Sequence, residues 1–397
     1  MFILERPYWS LFKLEKLMLQ LPPLSLYVHI PWCIEKCPYC DFNSHKLKGE
    51  IPEKEYLTAL IDDLKQDLNF VQGRDLFSIF IGGGTPSLIS ASGIQWLLEN
   101  IQQLIPFSNN IEITLEANPG AIENEKIAGF KKAGINRFSF GVQSFQQDKL
   151  TKLGRIHGVE EAKMAAKQAH QVGMKTFNLD LMHGLPGQSL NDAMSDLKTA
   201  IALKPTHLSW YQLTIEPNTQ YFSHPPTLPD DETLWAIQEA GVKLLAEHGY
   251  QQYEISGYSQ QSWQCQHNLN YWRFGDYIGI GCGAHGKISL PLENRIIRTT
   301  KIKHPKGYLD PTRPFMDSCH TVDKNELIFE YMMNRLRLME KIPFNEFEHY
   351  TGLQRLALEQ GMQLANQKGL LTISDEFCQV TALGHRYLNE LLTIFME

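Results

Sequence analysis

Short β-rich runs alternate with amphipathic helical patterns along most of the chain, and this alternation limits the possible folds more than any other feature. The candidate strands are residues 25–30, 78–81, 112–116, 137–141, 176–182 and 207–213. The helical patterns between them cover residues 55–70, 92–104, 123–133, 159–172 and 190–203. Parallel strands need a long crossover, usually a helix, so the alternation predicts βα units. Six such strands predict an α/β fold with a partial (β/α)6 barrel, whose chemistry lies on the loops that follow the strands.

The pattern changes after about residue 290, which predicts a second unit in this 397-residue chain. Residues 291–322 are rich in Pro, Lys and Arg, so we expect a linker or crossing segment there. Residues 323–397 show helical patterns, two short strands about a turn at 369–381, and a final helix from Leu383. The predicted domains are an N-terminal extension (1–20), a core domain (21–290) and a helix-rich, winged-helix-like domain (323–397). Few basic residues lie near the wing, which favours packing or docking over DNA binding.

Three of the seven cysteines fall within eight residues, directly after the first candidate strand. Cys33, Cys37 and Cys40 have the spacing C-x3-C-x2-C. Three thiolates can hold three irons of a [4Fe–4S] cluster and leave the fourth iron for a chelating small molecule. A fully ligated cluster needs four cysteines, and zinc sites more often show two C-x2-C pairs. Three unrelated buried thiols are the remaining alternative, which the clustering disfavours.

A glycine-rich turn, Gly82-Gly83-Gly84-Thr85-Pro86, lies between a candidate strand and a candidate helix. Glycine lets the backbone approach a ligand closely. A phosphate-binding loop is the rival interpretation, but the Lys-Ser/Thr pair that it requires is absent. Further polar residues stand at strand ends or on the following loops: Glu116, Gln143, Arg155 and Asp180. Each could be structural, but together they offer acceptors for ribose hydroxyls and a guanidinium for a carboxylate.

With these motifs the chain resembles the coproporphyrinogen-III-oxidase-like branch of the radical S-adenosylmethionine (SAM) superfamily, from about residue 21 to the C-terminus. The resemblance implies a [4Fe–4S] cluster on Cys33, Cys37 and Cys40. It also implies SAM contacts from Tyr27, Tyr39, Gly83, Gly84, Thr85, Glu116, Gln143, Arg155, Asp180 and Thr214, with His285 at the base end. We interpret residues 279–285 as a close backbone approach to the adenine, because they lack the acidic partner and the helix of a dinucleotide fingerprint. Whether one or two SAM molecules bind stays open.

Two features separate the heme chaperones of this branch from its dehydrogenases. The dehydrogenase pattern has a further cysteine two residues after the third, where this chain has Phe42. In addition, His267-Asn268-Leu-Asn-Tyr271-Trp272 resembles the H-N-x-x-Y-W motif that is assigned to heme binding in the chaperone group. An imidazole is a common axial ligand of heme iron, and aromatic side chains can pack on a flat macrocycle. From the residues alone, a core histidine with packing aromatics is the alternative.

The resemblance therefore implies a chaperone that binds heme and transfers it to an apo-hemoprotein, for example a membrane-associated respiratory enzyme. The alternative is an enzyme that decarboxylates coproporphyrinogen III without oxygen, through a 5′-deoxyadenosyl radical. A docking module on the C-terminal helices is a third class.

Composition limits the partners and the compartment that we expect. The formal net charge of −7 argues against a nucleic-acid partner, which would normally meet a basic face. An odd number of cysteines, three of them clustered, favours a reducing cytoplasm over a disulfide framework. Charged residues interrupt the apolar start of the chain, so we expect neither a signal peptide nor a membrane span, with a surface helix over residues 8–20 as an alternative. Met1 and Met18 are alternative starts.

Overall fold

The computed structural model describes residues 18–121 and 124–396 of the chain. Residues 1–17, most of the predicted N-terminal extension, lie outside the described residues, and residues 18–20 belong to no helix or strand. The strands are β1 (Leu24–Ile30), β2 (Trp32–Cys33), β3 (His45–Lys46), β4 (Leu76–Gly83), β5 (Phe107–Ala117), β6 (Arg137–Gln143), β7 (Thr176–His183), β8 (His207–Gln212), β9 (Gln251–Gln252), β10 (Gly257–Ser259), β11 (Asp276–Ile280), β12 (His285–Leu290), β13 (Arg295–Lys301), β14 (Met316–Thr321), β15 (Ile342–Pro343), β16 (Leu371–Ile373) and β17 (Phe377–Val380).

The helices agree with the predicted amphipathic patterns in the first half of the chain. They are α1 (Glu53–Gln66), α2 (Ala91–Leu104), α3 (Asn124–Lys132), α4 (Gln147–Lys152), α5 (Val159–Gln171), α6 (Leu190–Ala202), α7 (Gln220–Ser223), α8 (Asp231–Glu247), α9 (Gln266–Trp272), α10 (Pro305–Tyr308), α11 (Lys324–Arg335), α12 (Phe344–Thr351), α13 (Glu359–Gln367), α14 (Ala382–Arg386) and α15 (Leu388–Thr393). Side-chain caps fix several starts; Ser90, for example, accepts from the Gly93 N–H at the start of α2.

The main sheet has the order β14-β13-β12-β11-β1-β4-β5-β6-β7-β8-β10-β9. The six predicted strands are confirmed as β1 and β4 to β8, which pair in parallel in chain order. Apolar residues of these strands and of the crossover helices form one large core. The sheet has two edges, at β14 and β9, as expected of an open rather than a closed arrangement.

Strand β11 is an element that the sequence analysis did not predict. It pairs in parallel with β1, with Leu24 opposite Asp276, and it begins an antiparallel run through β12 and β13 to β14. Residues 291–322 therefore supply two strands of the main sheet, whereas their Pro, Lys and Arg content predicted a linker or crossing segment. The reason lies in β13, where Ile296, Ile297 and Lys301 are buried although the composition of the segment is basic.

The C-terminal part has its own hydrophobic core, centred on Tyr331, Phe347 and Leu358. Helices α11 to α13 pack beside a small sheet of order β15-β17-β16, an arrangement that matches the predicted helix-rich, winged-helix-like unit. Phe274 and Ile296 from the main sheet region belong to this second core. The two parts also meet at Glu254, which forms a β-bridge with Leu338.

Across the described ranges, every helix is too short or too polar to span a lipid bilayer.

Candidate functional site

A cavity of about 970 Å³ lies among the C-terminal halves of the first parallel strands, and we call it the central cavity. Strand residues Tyr27, Phe80, Gly83 and Glu116 line one wall. The rest of the lining comes from His29 of β1; the cysteine-loop residues Lys36, Asp41, Phe42, Asn43, Ser44 and His45; Pro217 and Asn218 on the loop after β8; the α9 residues His267, Asn268, Tyr271 and Trp272; and Tyr277, Gly283, His285 and Lys303. The C-terminal ends of parallel strands are where α/β barrels usually place their ligands.

The three clustered cysteines lie on the loop between β1 and α1, and all three are half-buried. The Cys40 N–H donates to the Cys37 carbonyl at 3.2 Å, which curls the loop. Burial raises the pKa of the Cys33 and Cys40 thiols, and neighbouring Thr85 and Ser44 hydroxyls oppose that rise. Metal binding would remove these protons.

The donor set also discriminates between a cluster and a single metal ion. In the part of the chain that the structure describes, no three His, Cys, Asp or Glu side chains converge on one point. A mononuclear ion would need such convergence, whereas a cubane cluster gives each thiolate its own iron. Three separated thiolates on one curled loop therefore fit a [4Fe–4S] cluster better than zinc.

In the glycine-rich turn at the end of β4, the backbone N–H groups of residues 83–85 are already hydrogen-bonded. The Gly83 N–H donates to Glu116 Oε2 at 3.1 Å. The N–H groups of Gly84 and Thr85 donate to the carbonyls of Ile30 and Trp32 at 2.7 and 2.8 Å, respectively. A phosphate would need those N–H groups, so the turn suits an amine, which binds carbonyl oxygens.

Steric contacts explain why two of these positions are glycine. Gly83 has φ +115, and a Cβ there would lie 2.6 Å from the His29 ring. A Cβ on Gly84 would lie 2.5 Å from the Trp32 carbonyl oxygen. The turn is thus pressed against the end of β1, directly beside the cysteine loop.

Two half-buried carboxyl groups, Glu116 and Asp180, lie behind the turn. Burial and the neighbouring Asp180 raise the pKa of Glu116 to about 8. Burial also raises the pKa of Asp180, although Asn178 Nδ2 and Ser139 Oγ donate to its oxygens at 2.8 and 3.0 Å. A protonated Glu116 can both donate to and accept from a hydroxyl group, so the pair suits a polyol such as ribose.

Arg155 joins the strand ends to the cysteine loop. Its Nη2 donates to the Gly141 carbonyl at 2.7 Å, and its Nη1 lies 3.6 Å from Cys37 Sγ. Burial alone would lower the pKa of Arg155, but Tyr39 and Cys37 raise it. Gln143, at the end of β6 with φ 70, accepts from the Tyr211 hydroxyl at 2.9 Å.

Thr214 lies on the loop after β8, is exposed, and donates to Glu216 Oε1 at 2.9 Å. Pro217 and Asn218 of the same loop line the central cavity, whereas Thr214 itself is not part of the lining. His285, at the start of β12, is also exposed but does line the central cavity.

Helix α9 brings the predicted heme motif to the central cavity, against β4. His267 is 8% exposed, and its Nδ1 lies 2.9 Å from the Ser78 hydroxyl. Its ring also packs on Phe80 at 5.1 Å between centroids. Burial, with a smaller effect of Arg137, lowers the pKa of His267 to about 3. The imidazole is therefore neutral, and among the described residues its Nε2 has no hydrogen-bond partner.

The aromatic pair of the motif extends the same wall. Tyr271 and Trp272 meet edge to face at 4.8 Å, and Tyr271 also packs on Tyr277 at 5.0 Å. The guanidinium of Arg337, from the C-terminal part, lies 4.3 Å from the centroid of the Trp272 ring. The motif thus both faces the cavity and contacts the second domain.

The sequence analysis missed His29 and Asn43, which tie the site together. His29 lies between the Tyr27 hydroxyl, 2.9 Å from Nδ1, and the Asn43 carbonyl, 2.8 Å from Nε2. Burial lowers the pKa of His29 to about 4, so the ring is neutral. Alternation along β1 puts Tyr27 and His29 on one face, and this signal could have identified His29.

Comparisons with known proteins agree with this geometry. A sequence profile of the radical SAM superfamily matches residues 27–200, and one of the HemN C-terminal domain matches residues 322–387. The heme chaperone HemW of Escherichia coli (strain K12) is 54% identical over 379 residues, which cover 96% of this chain and 100% of that protein. The chain belongs to the HemW family of radical SAM proteins. HemW of Bacillus subtilis (strain 168) is 35% identical, over 94% of this chain and 99% of that protein.

A solved structure agrees with membership of the HemW family at the level of the fold. Coproporphyrinogen III oxidase (HemN) from Escherichia coli, described as a radical SAM enzyme, superposes with a TM-score of 0.80. The match covers 94% of this chain and 90% of that one at 22% sequence identity. Chains this different share a fold without necessarily sharing an activity. The predicted resemblance to the coproporphyrinogen-III-oxidase-like branch is confirmed by the two profile matches and the HemW relatives.

Proposed function

We propose that this chain binds heme and transfers it to an apo-hemoprotein, with a SAM-coordinated [4Fe–4S] cluster bound beside the heme site. The observation that carries the proposal is the lining of the central cavity. His267, Asn268, Tyr271 and Trp272 face the same space as Tyr27, Gly83, Glu116 and His285. The HemW relatives are named heme chaperones, which supports the same conclusion.

The heme side of the proposal rests on shape and on one imidazole. The cavity volume of about 970 Å³ lies within the range of ligand sites, roughly 300–1,000 Å³. Phe80, Tyr271 and Trp272 offer aromatic surface to a flat macrocycle. An imidazole must be neutral to serve as an axial ligand, and His267 meets this condition with Nε2 as the free nitrogen. Its Nδ1 would then donate to Ser78, which orients the ring.

The cofactor side of the proposal rests on Cys33, Cys37 and Cys40. A [4Fe–4S] cluster on these thiols would supply an iron that binds the amine and carboxylate of SAM. The Gly83–Thr85 turn would accept from the amine, and Glu116 and Asp180 would bond the ribose hydroxyls. Tyr39, Gln143, Arg155 and Thr214 would complete the contacts, with His285 toward the base.

The chaperone proposal predicts a heme spectrum that depends on His267. Heme titration of the anaerobically reconstituted protein should give a Soret band, and His267→Ala should lose or shift that band while the cluster absorbance stays. Ser78→Ala should keep the band, with heme affinity weaker by about 10–100-fold, because it removes only the orienting partner. His248→Ala changes an exposed histidine directly after α8; it is the matched control and should change nothing.

The same samples separate the chaperone from a dehydrogenase and from a folding defect. Melting curves should show His267→Ala folded; a large fall in melting temperature would mean that His267 serves packing instead. Coproporphyrinogen III and SAM should give no protoporphyrinogen product. Turnover with consumption of SAM would contradict the chaperone proposal whatever the heme spectrum shows.

A further inference from the structure

One edge of the central cavity is basic, and it lies on the side of the cysteine loop. Lys36, His45, His285 and Lys303 line this edge, and Asp41 is the one exposed carboxylate beside them. The other carboxyl group of the lining, Glu116, keeps its proton at neutral pH because its pKa is about 8. The edge therefore carries more positive than negative charge when the cavity is empty.

Neither lysine of this edge forms an ion pair with any residue that the structure describes. The Lys36 ammonium donates to the Phe42 and Ser44 carbonyls at 3.2 and 3.4 Å, which leaves one of its three protons. The Lys303 ammonium makes no hydrogen bond within the described ranges, although Lys303 lines the cavity, where burial together with the Lys303 charge lowers the pKa of His285. Two lysines thus line the cavity without a carboxylate partner among the described residues.

Three hydrogen bonds fix the backbone at Lys303, although the residue is exposed. Its carbonyl oxygen accepts from Asn43 Nδ2 at 2.9 Å, His45 Nε2 at 3.3 Å and Cys282 Sγ at 2.7 Å. Two of these donors belong to the cysteine loop. A fixed backbone that carries an unpaired side chain is preorganised to bind a ligand, because less freedom is lost on binding.

The cavity wall formed by β4, α9 and β11 is aromatic. Phe80, Tyr271, Trp272 and Tyr277 lie there, together with His267. Heme has the same polarity, since its two propionates project from one edge of an otherwise apolar macrocycle. Two unpaired ammonium groups on the cysteine loop and after β13, with aromatic rings on other elements, therefore fit one orientation of the molecule.

We propose that Lys303, with Lys36, binds the propionates of heme and so orients it, with its carboxylates toward the cysteine loop and its apolar edge toward α9. This inference rests on the proposed function and adds the residues that determine orientation and selectivity. It implies that the chain should discriminate against a porphyrin that lacks free carboxylates.

The test compares heme with heme dimethyl ester, whose propionates carry no charge. We expect the wild-type protein to bind heme more tightly than the ester. Lys303→Ala should weaken heme binding by about 5-fold, as for a partly exposed charge pair. Lys303→Glu should weaken heme binding further, and neither variant should weaken binding of the ester. The difference between the two ligands should therefore shrink when Lys303 is removed.

Controls make the outcome specific. Lys306→Glu, an exposed lysine on α10 outside the cavity lining, has the same change of charge and should leave heme binding unchanged. Lys36→Gln keeps a hydrogen-bond donor for the loop carbonyls and should act as Lys303→Ala does, with full cluster iron. SAM affinity should be the same in all of these variants.

Three other results would contradict the proposal. Equal heme affinity in wild type, Lys303→Ala and Lys303→Glu would overturn this inference and leave the proposed function intact. A loss of SAM binding in Lys303→Ala would assign the ammonium to the amino-acid carboxylate of SAM instead. Absence of heme binding by the wild-type protein would overturn the proposed function and this inference together.

Discussion

Cys37 is one of the three clustered cysteines, and its Sγ lies 3.6 Å from Arg155 Nη1. We predict that Cys37→Ser, like the same change at Cys33 or Cys40, loses most of its cluster iron, because three thiolates would supply all the ligation from protein. Iron and sulfide analysis after anaerobic reconstitution measures this. Cys319→Ser changes an exposed thiol far along the chain and should retain full iron. Full iron in Cys37→Ser would remove Cys37 from the site.

Glu116 should make the stability of the cofactor-free protein depend on pH. Its pKa is raised from 4.5 to about 8, first by burial and then by Asp180. Between these values the folded state keeps a proton that the unfolded state has lost, so the free energy of unfolding should fall as pH rises. Urea titrations across this range should show the fall in wild type and a flatter curve in Glu116→Gln. Identical slopes for the two proteins would contradict the raised pKa.

The same residue should affect SAM. Glu116→Ala should weaken SAM binding by about 0.5–1.5 kcal/mol, the usual value of a hydrogen bond from a neutral group, and leave the cluster in place. Calorimetry measures the affinity, and the iron content serves as the control. Unchanged affinity in both Glu116→Ala and Asp180→Ala would contradict the assignment of these carboxyl groups to the ribose.

At the scale of elements, the join between β4 and the cysteine loop depends on Gly83. Its φ of +115 is unfavourable for other residues, and an added Cβ would also meet the His29 ring. Gly83→Ala should therefore destabilise the protein by about 2–3 kcal/mol, which combines backbone strain with the clash. Gly49→Ala is the matched control, because φ is +86 there but no atom lies within 4 Å. Denaturant midpoints should separate the two; equal losses would show that the clash contributes nothing.

At the scale of the whole molecule, Asp276 joins the antiparallel strands to the parallel sheet. Its carboxylate accepts from Lys287 Nζ at 3.0 Å and Arg74 Nη1 at 2.8 Å, and from the backbone and hydroxyl of Ser289, both at 2.9 Å. Asp276→Asn would leave the buried Lys287 ammonium without its counter-charge, so we expect a loss of about 3–5 kcal/mol. Asp62→Asn breaks an exposed pair with Lys65 and should cost less than about 1 kcal/mol. Equal urea midpoints for Asp276→Asn and Asp62→Asn would contradict this expectation.

A second buried network, around Gly281, supports the site directly. Strand β11 lies beside β1, and its continuation carries Gly281, whose added Cβ would meet the His29 carbonyl at 2.5 Å. The Gly281 N–H lies 3.1 Å from both Asp63 Oδ2 and the Tyr308 hydroxyl. Buried polar contacts at Gly281 therefore hold the segment that leads to His285 against the end of β1.

Local pattern determined much of this protein. The alternation of strand and helix periods gave β1 and β4 to β8, because each period reflects which face of one element is buried. The spacing of Cys33, Cys37 and Cys40 predicted the cluster loop, since neighbours in sequence must be neighbours in space. The sequence likewise predicted the Gly82–Pro86 turn. It did not show that position 83 must be glycine because the His29 ring lies against it.

Tertiary structure alone decided how distant segments meet. His267 is 240 residues from Tyr27, yet α9 packs against β4 and brings both to one cavity. Strand β11 pairs with β1 across a similar separation, and the basic segment after residue 290 joins the sheet instead of crossing it. No local period encodes such pairings, because they depend on which buried surfaces and charges fit when the whole chain has closed. Lys303 shows this most clearly: its sequence context is ordinary, and only three convergent hydrogen bonds place it at the cavity edge.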